Sequence, residues 1–412
     1  MYNDHSKIAS LIQRHSFFVV MLFIVGVLTP ELTPKIQLMD NDLGGMLDIR
    51  SGSDRTKQVF WIGMSLIMFA LFFQYRNNTR CLAIHSSLIT PILFLTFIFT
   101  LALFSILWSD FKSLTFKRSF FQLILYWVIY QSLLLSILSG SLFNSFRKVN
   151  YSIILMIVLS IIIGAGINPY GELAGYSNTK NVMGAILCVS IICSHIVYSH
   201  YGMDRRSVIL LSLMTFLLVL TASKTSIFLV FVYLILSKID LRIAKAIVFI
   251  TTLLLLIGFN VIPTISYQVD NYVNIADYVS GDFITGRGYI WDAIYLELYY
   301  FDRIWLGFGY GSFFGTPVTP YFFDDEFSFL RFISSSHNGY IELLTQFGFI
   351  SIFIFTYYLL FLRSRNINII SALFVVTLYN ITEPAFMRDQ HVVWFMCIFI
   401  LLFSYSQKYI SR

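Results

Sequence analysis

Three separated residues, one histidine, one lysine and one arginine, are the positions of this chain best suited to chemistry. His337 directly precedes Asn338, a residue type that suits the N-cap of a following helix, so its imidazole stands where a helix begins. There it can take up a proton near neutral pH, although a lone histidine can also be a plain polar surface group. Lys224 lies within an apolar stretch, where a lysine costs roughly 2.5 to 3.5 kcal/mol unless it meets water or an anion. It either snorkels to the interface or holds an anion. Arg287 follows Thr285 and Gly286, and Thr285 could cap a helix whose first N–H groups face an anion that Arg287 also grips. The alternative is a solvated loop arginine. Together the three supply two cations for a diphosphate and one imidazole for a proton. Asp110, in Trp108-Ser109-Asp110, adds a carboxylate that is either a helix-end charge or a partner for an acceptor hydroxyl.

Other chemistries find less support. The chain has no HExxH or CxxC, and Asp324-Asp325-Glu326 lacks a second acidic cluster at helical spacing, so neither a metal nor a cofactor is expected. Gly307, Gly309 and Gly311 mimic a nucleotide fingerprint, which would need a preceding strand in a βαβ unit. Cys81, Cys188, Cys193 and Cys397 fall in or beside apolar runs and form no disulfide framework.

The elements that must position these residues are membrane helices. Of 412 residues 57% are hydrophobic and only 12% charged, about half the charge of a soluble domain, and the apolar runs are continuous rather than alternating as in a barrel. The runs predict an all-α polytopic membrane protein with about 12 transmembrane helices in a single bundle over residues 1–412. Spans are expected at Phe17 to Thr29, Val59 to Tyr75, Leu88 to Trp108, Phe120 to Leu138, Tyr151 to Ala165 and Val182 to Tyr198. The remainder are Val208 to Leu220, Thr225 to Leu236, Ala246 to Ile262, Ile341 to Leu362, Ile367 to Leu378 and Val392 to Tyr405. The first run resembles a secretory signal but lacks a small-x-small cleavage site, so it reads as an uncleaved span.

Charge sets the expected orientation. With both termini inside, the cytoplasmic segments hold 15 of the 28 basic residues but only 3 of the 22 acidic ones, leaving the inside at +12 and the outside at −6. The basic residues fall into small groups between spans and not on one face, which argues against nucleic acid. Residues 208–236 are too long for one span, and basic groups on both flanks favour a hairpin. Each arm of ~14 residues would rise roughly 21 Å, short of a hydrocarbon core of about 30 Å, so the tip with Lys224 should sit below the outer surface. One large loop, 263–340 between spans 9 and 10, is long enough to be functional. Within it, residues 285–300 read as a helix whose Trp291, Tyr295, Tyr299 and Tyr300 suit the lipid–water interface.

Four stretches carry a resemblance. Ser336-His337-Asn338-Gly339-Tyr340-Ile341-Glu342-Leu343-Leu344 with Phe347-Gly348 resembles the His-Asn-x-Tyr-Leu motif of the O-antigen ligase and polysaccharide polymerase superfamily. Thr285-Gly286-Arg287 with Trp291, and Leu306-Gly307-Phe308-Gly309-Tyr310-Gly311, resemble loop motifs of its exopolysaccharide-polymerase branch. Ser177-Asn178-Thr179-Lys180-Asn181 and Ala222-Ser223-Lys224-Thr225 match more weakly; Lys224 stands where many members have arginine, keeping the charge but not the bidentate fork.

The resemblance implies a GT-C-like, metal-independent, inverting membrane glycosyltransferase of the bacterial inner membrane, with the long loop periplasmic. Its donor would be a saccharide on undecaprenyl diphosphate held by Lys224 and Arg287, with His337 as general base. Asp110, Lys180, Asn181, Asn338 and Glu342 would support the site or the acceptor. The acceptor is a glycan for a repeat-unit polymerase, which is favoured, or lipid A core for an O-antigen ligase. A chain-length regulator is a candidate partner, alongside the lipid bilayer. A polysaccharide flippase or transporter is the remaining alternative; it would place charges near the midplane in two matching halves, and Lys224 is the only such residue deep in a run.

Overall fold

The protein is described from a computed structural model covering residues 2–33, 55–85, 88–268, 287–316, 335–355, 360 and 363–410. Its regular elements are helices: α1 (Tyr2–Ile24), α2 (Arg55–His85), α3 (Ile89–Phe104), α4 (Lys112–Leu138), α5 (Leu142–Ile162), α6 (Lys180–Tyr201), α7 (Arg205–Leu220) and α8 (Lys224–Leu236). α9 (Leu241–Leu256) continues through a π turn at Ile257–Val261 into α10 (Ile262–Gln268). Then follow α11 (Arg287–Tyr300), α12 (Gly339–Phe347), α13 (Ser351–Ile354), α14 (Ile367–Thr382) and α15 (Val392–Ile410). Each apolar run read from the sequence overlaps a helix, though Phe17 to Thr29 and Tyr151 to Ala165 outrun theirs and the described part of Ile341 to Leu362 is divided between α12 and α13. Thr285 and Gly286, the acidic triplet at 324–326 and part of the tenth run lie outside the described residues.

Among the described residues six helical segments are long and apolar enough to cross a membrane: 56–78, 89–107, 112–138, 142–162, 180–201 and 241–265. Five further apolar helices are shorter, among them Lys224–Leu236 and Ile367–Thr382. Backbone polar groups in lipid must be satisfied within the chain, which helices do by themselves, so this is a multi-pass membrane protein. Burial separates the helices into an inner and an outer set. The most apolar window of α6 is 83% buried, whereas those of α2 and the α9–α10 rod are 22% buried and turn Phe69, Phe73, Phe249 and Leu254 outward. α6 is therefore the central post. The main core gathers around it, with Leu187 and Ile192 of α6, Phe146 of α5, Tyr233 of α8, Val376 of α14 and Phe399 of α15.

Short turns fix helix directions. The turn at 237–240 reverses the chain between α8 and α9, and α14 packs along both. Thr252 of α9 lies 3.5 Å from Thr377 of α14, and Asn260, farther along the rod, reaches the backbone of Tyr340 beside Asn380. α9 and α14 thus run parallel, and α8 runs against them. The start of α8, the end of α14 and the start of α12 consequently share one end of the bundle, called the site end below. At the opposite end, Arg147 of α5 pairs with Asp204 at 2.6 Å, and Asp204 also caps α7 through the Ser207 N–H.

The described part of the long loop forms a second apolar cluster at the site end. Trp291, Ile294 and Leu298 of α11 pack with Phe308 and Phe313 against Ile341 and Leu344 of α12. This differs from the interfacial placement expected of the loop aromatics. Trp291 is 2% exposed and donates its indole N–H to the Ser336 carbonyl at 2.9 Å, and the Tyr295 hydroxyl donates to the Phe259 carbonyl at 2.7 Å. An indole N–H or phenol inside a bundle needs a partner, and an irregular segment and a π turn leave carbonyls free to accept. Tyr299 and Tyr300 remain exposed.

Glu297, on the same helix, has an unpartnered buried Oε2, and burial raises its carboxyl to about 7. A carboxyl raised on folding leaves stability untouched below its unfolded pKa and lowers it progressively as pH rises towards 7. Glu297→Gln is therefore expected to raise thermal stability at pH 8 by on the order of 2 kcal/mol, a gain that fades towards pH 5. Thermal unfolding of the purified protein across that range checks this; a gain independent of pH would mean that the carboxyl is ionised throughout.

Candidate functional site

Asn338 builds the first half of the site. Its Oδ1 accepts from the N–H groups of Tyr340 at 2.9 Å and Ile341 at 3.2 Å, capping α12. Glu342, one turn in, accepts from the N–H of Ser336 at 2.9 Å, and the Ser336 hydroxyl shares its one proton between Glu342 Oε2 at 2.8 Å and the Asn338 carbonyl at 2.7 Å. The segment before α12 is thereby tied down on both sides of His337. His337 itself has φ +53°, a left-handed conformation that costs a non-glycine residue energy and persists where the surroundings over-determine it. Gly339 follows for steric reasons: a Cβ there would meet Asn380 Oδ1 at 2.0 Å. Asn380 needs that space, because its Oδ1 accepts from the N–H groups of Ala385 and Phe386 and so folds back the segment after α14.

That segment supplies the second half. Glu383, just beyond α14, points its carboxylate at two residues from the long loop. Arg287 Nη2 lies 3.3 Å from Oε1 and His337 Nδ1 lies 3.4 Å from Oε2, while Arg287 Nη1 donates to the Thr382 carbonyl at 2.6 Å. Burial alone would raise the Glu383 carboxyl, but His337, Arg287 and Arg388 outweigh it and hold it below the usual carboxylate range. Glu383 is thus an anion at neutral pH whose Oε2 faces His337 Nδ1, a buried nitrogen with no hydrogen bond among the described contacts, and Nε2 is left for another partner. His391, just before α15, is a poor proton acceptor. Burial drives it down to about 3, and its Nδ1 accepts from the Val393 N–H.

Lys224 is the first residue of α8 and is exposed at the site end. The tip that carries it is seated on α6, where a Cβ on Gly184 would meet Ser223 Cβ at 2.6 Å. The parallel course of α9 and α14, with α8 reversed, puts Lys224 at the same end as Glu383. Among the described contacts no hydrogen bond or ion pair joins it to His337 or Arg287. Lys180, at the start of α6, is paired with Glu172, which also accepts from Asn168 at 2.8 Å; Asn181 is exposed on the first turn of α6. Asp110 pairs with Arg303 at 2.9 Å, and Arg303 also donates to the Trp108 carbonyl at 3.0 Å, which moors the glycine-rich loop to the end of α3. Among the described residues no three of His, Cys, Asp and Glu assemble as a metal site would require.

The glycine-rich loop docks backbone to backbone on the end of α12. Phe308 N–H donates to the Thr345 carbonyl and Gly309 N–H to that of Gln346, and a Cβ on Gly307 would lie 2.6 Å from the backbone of Gln346, Phe347 and Gly348. Arg118 of α4 closes the other side, donating to the carbonyls of Gly311, Phe314 and Gly315. Between Arg118, the loop, α12 and residues 386–389 lies a cavity of about 250 Å³. Glu383, Arg388, Arg118 and Asn380 were not singled out in the sequence. The available signal was charge between two apolar runs, Glu383 before Pro384 and Arg388 five residues on. Residues 209–356, which hold Lys224, Arg287 and His337, match the family model for O-antigen ligase. No curated protein and no solved structure matches the chain.

Replacing the cap tests the local architecture. Asn338→Ala is expected to cost about 0.5 to 2 kcal/mol of stability, and Asn338→Asp to retain most of it, in thermal unfolding. Equal stabilities for the two would mean that the Tyr340 and Ile341 N–H groups do not depend on this side chain.

Proposed function

We infer that this relative of the O-antigen ligases and polysaccharide polymerases is a membrane glycosyltransferase that moves a saccharide from undecaprenyl diphosphate to an acceptor hydroxyl. The observation that carries the reading is the convergence of His337 and Arg287 on Glu383, with Lys224 at the same end of the bundle. His337 Nε2 takes the proton of the acceptor hydroxyl while Glu383 stabilises the imidazolium at Nδ1. The hydroxyl oxygen attacks the anomeric carbon from the face opposite the diphosphate, inverting the configuration, and the bond to the diphosphate breaks. Lys224 and Arg287 stabilise the charge that gathers on the leaving oxygen, a role that in other enzymes falls to a divalent ion. Arg287 leaves the Glu383 carboxylate for the diphosphate as the donor arrives.

The chain forms a single GT-C-like bundle of twelve spans in the bacterial inner membrane, its termini cytoplasmic and its 263–340 loop periplasmic. The basic residues inside and the position of the site at one end support that orientation. The preferred activity is that of a repeat-unit polymerase for O-antigen or exopolysaccharide, supported by the loop motifs and by an acidic outer face that repels phosphorylated lipopolysaccharide. The family description favours instead a ligase with lipid A core as acceptor.

A deletion strain decides between them. Single lipid-linked repeat units are expected to accumulate, and wild-type protein but not His337→Ala is expected to clear them. Long lipid-linked chains would establish the ligase, and clearance by His337→Ala at wild-type rate would remove the general base.

Lys224 offers a separate test, since a diphosphate ligand needs its charge whereas a snorkelling lysine does not. Lys224→Arg should keep much of the activity and Lys224→Met should lose it together with donor affinity. A fully active Lys224→Met with unchanged donor affinity would leave Arg287 alone at the diphosphate.

A further inference from the structure

The cavity between Arg118, the glycine-rich loop and α12 has no part in the chemistry above, yet it is built to receive something. Gln346 lines it, is 8% exposed, and leaves its side-chain Oε1 without a hydrogen-bond partner. An unmade hydrogen bond on a buried amide oxygen costs about 1 to 3 kcal/mol, which a ligand donating to it would recover. Around Gln346 the walls are mixed. Phe313, Phe314, Phe386 and Tyr310 give apolar faces, Glu342 and Asp389 give acceptors, and Arg388 gives donors.

The occupant follows from size and charge. At about 250 Å³ the space is large enough for one sugar ring. Arg118 is already spent on three loop carbonyls, so the cavity offers no pair of free cations, and a phosphate entering it would meet the carboxyl groups of Glu342 and Asp389. Hydroxyls that both donate and accept, carried on a ring with an apolar face, answer every wall. We propose that this cavity is a binding pocket for a single uncharged sugar residue, the one that bears the acceptor hydroxyl.

The assignment to the acceptor, which rests on the glycosyltransferase reading, comes from position. Ser335 lines the cavity two residues before His337, and Arg388 lines it while also acting on Glu383, so a ring held here lies beside the base. Lys224 and Arg287, the cations assigned to the donor diphosphate, are not among its lining residues. Gln346 and Asp389 become specificity-determining residues: they contact the sugar and select which hydroxyl pattern is accepted.

Full-length protein in lipid nanodiscs, titrated with free glucose, N-acetylglucosamine and glucuronate and followed by saturation-transfer NMR, tests the pocket without requiring turnover. At least one of the two neutral sugars should bind better than glucuronate, with affinity falling about tenfold in Gln346→Leu and in Asp389→Asn. Asp389 is exposed at the rim, so its variant keeps the test valid if Gln346→Leu fails to fold. No binding, preference for glucuronate, or equal binding by wild type and Asp389→Asn would overturn the pocket. His337→Ala should bind sugar like wild type, so failure of the base and failure of the pocket remain separate results. In a transfer assay, Asp389→Asn should raise KM for the acceptor and leave that for the lipid-linked donor unchanged; the reverse would overturn the acceptor assignment.

Discussion

The carboxylate of Glu383 is where three parts of the chain meet. It closes α14, it receives Arg287 from the start of α11, and it faces His337 just before α12. Charge holds this arrangement in place, because a half-buried carboxylate near lipid depends on nearby cations to remain ionised. The same pairing gives the site two states. With no anion present, Arg287 and His337 both face the Glu383 carboxylate; in the proposed reaction an anionic ligand that takes Arg287 leaves Glu383 facing His337. Binding and proton transfer would then be coupled through one side chain.

A second constraint is the satisfaction of irregular backbone at the end of a bundle. The loop from Trp305 to Gly315 lacks regular structure, so its polar groups need partners from outside it. Two of its N–H groups go to carbonyls at the end of α12, and three of its carbonyls go to the Arg118 guanidinium. Glycine at 307 permits the first contact, since any side chain would strike the facing backbone. Arg118 thus acts as a rigid fork holding a loop and not as a free charge. The space it leaves beneath the loop is what Gln346 and Asp389 line.

The sequence was most informative where a local rule applied. Continuous apolar runs separated by charged groups identify the helices, because the length and polarity of a run are properties of neighbouring residues. Asn338 was legible as a cap for the same reason: its partners lie two and three residues away. His337 stood out because it directly precedes a helix cap, and Arg287 because it follows Thr285 and Gly286 at the start of a helix. The loop aromatics were less legible. Trp291 and Tyr295 have the composition of interfacial residues, but carbonyls at Ser336 and Phe259 offer their polar atoms a partner inside the bundle.

The sequence by itself determined that this chain is a helical membrane protein, where its helices fall, and which histidine and arginine stand at their ends. Tertiary structure alone decided that Glu383 pairs with both of them, that Arg118 clamps a loop some 190 residues away, and that Gln346 turns an unpaired amide into a cavity. The division has a physical cause. Hydropathy and capping act over a few residues along the chain. Ion pairs and orphaned polar atoms depend on which helix ends meet, and that is set by packing around α6 among residues remote in sequence.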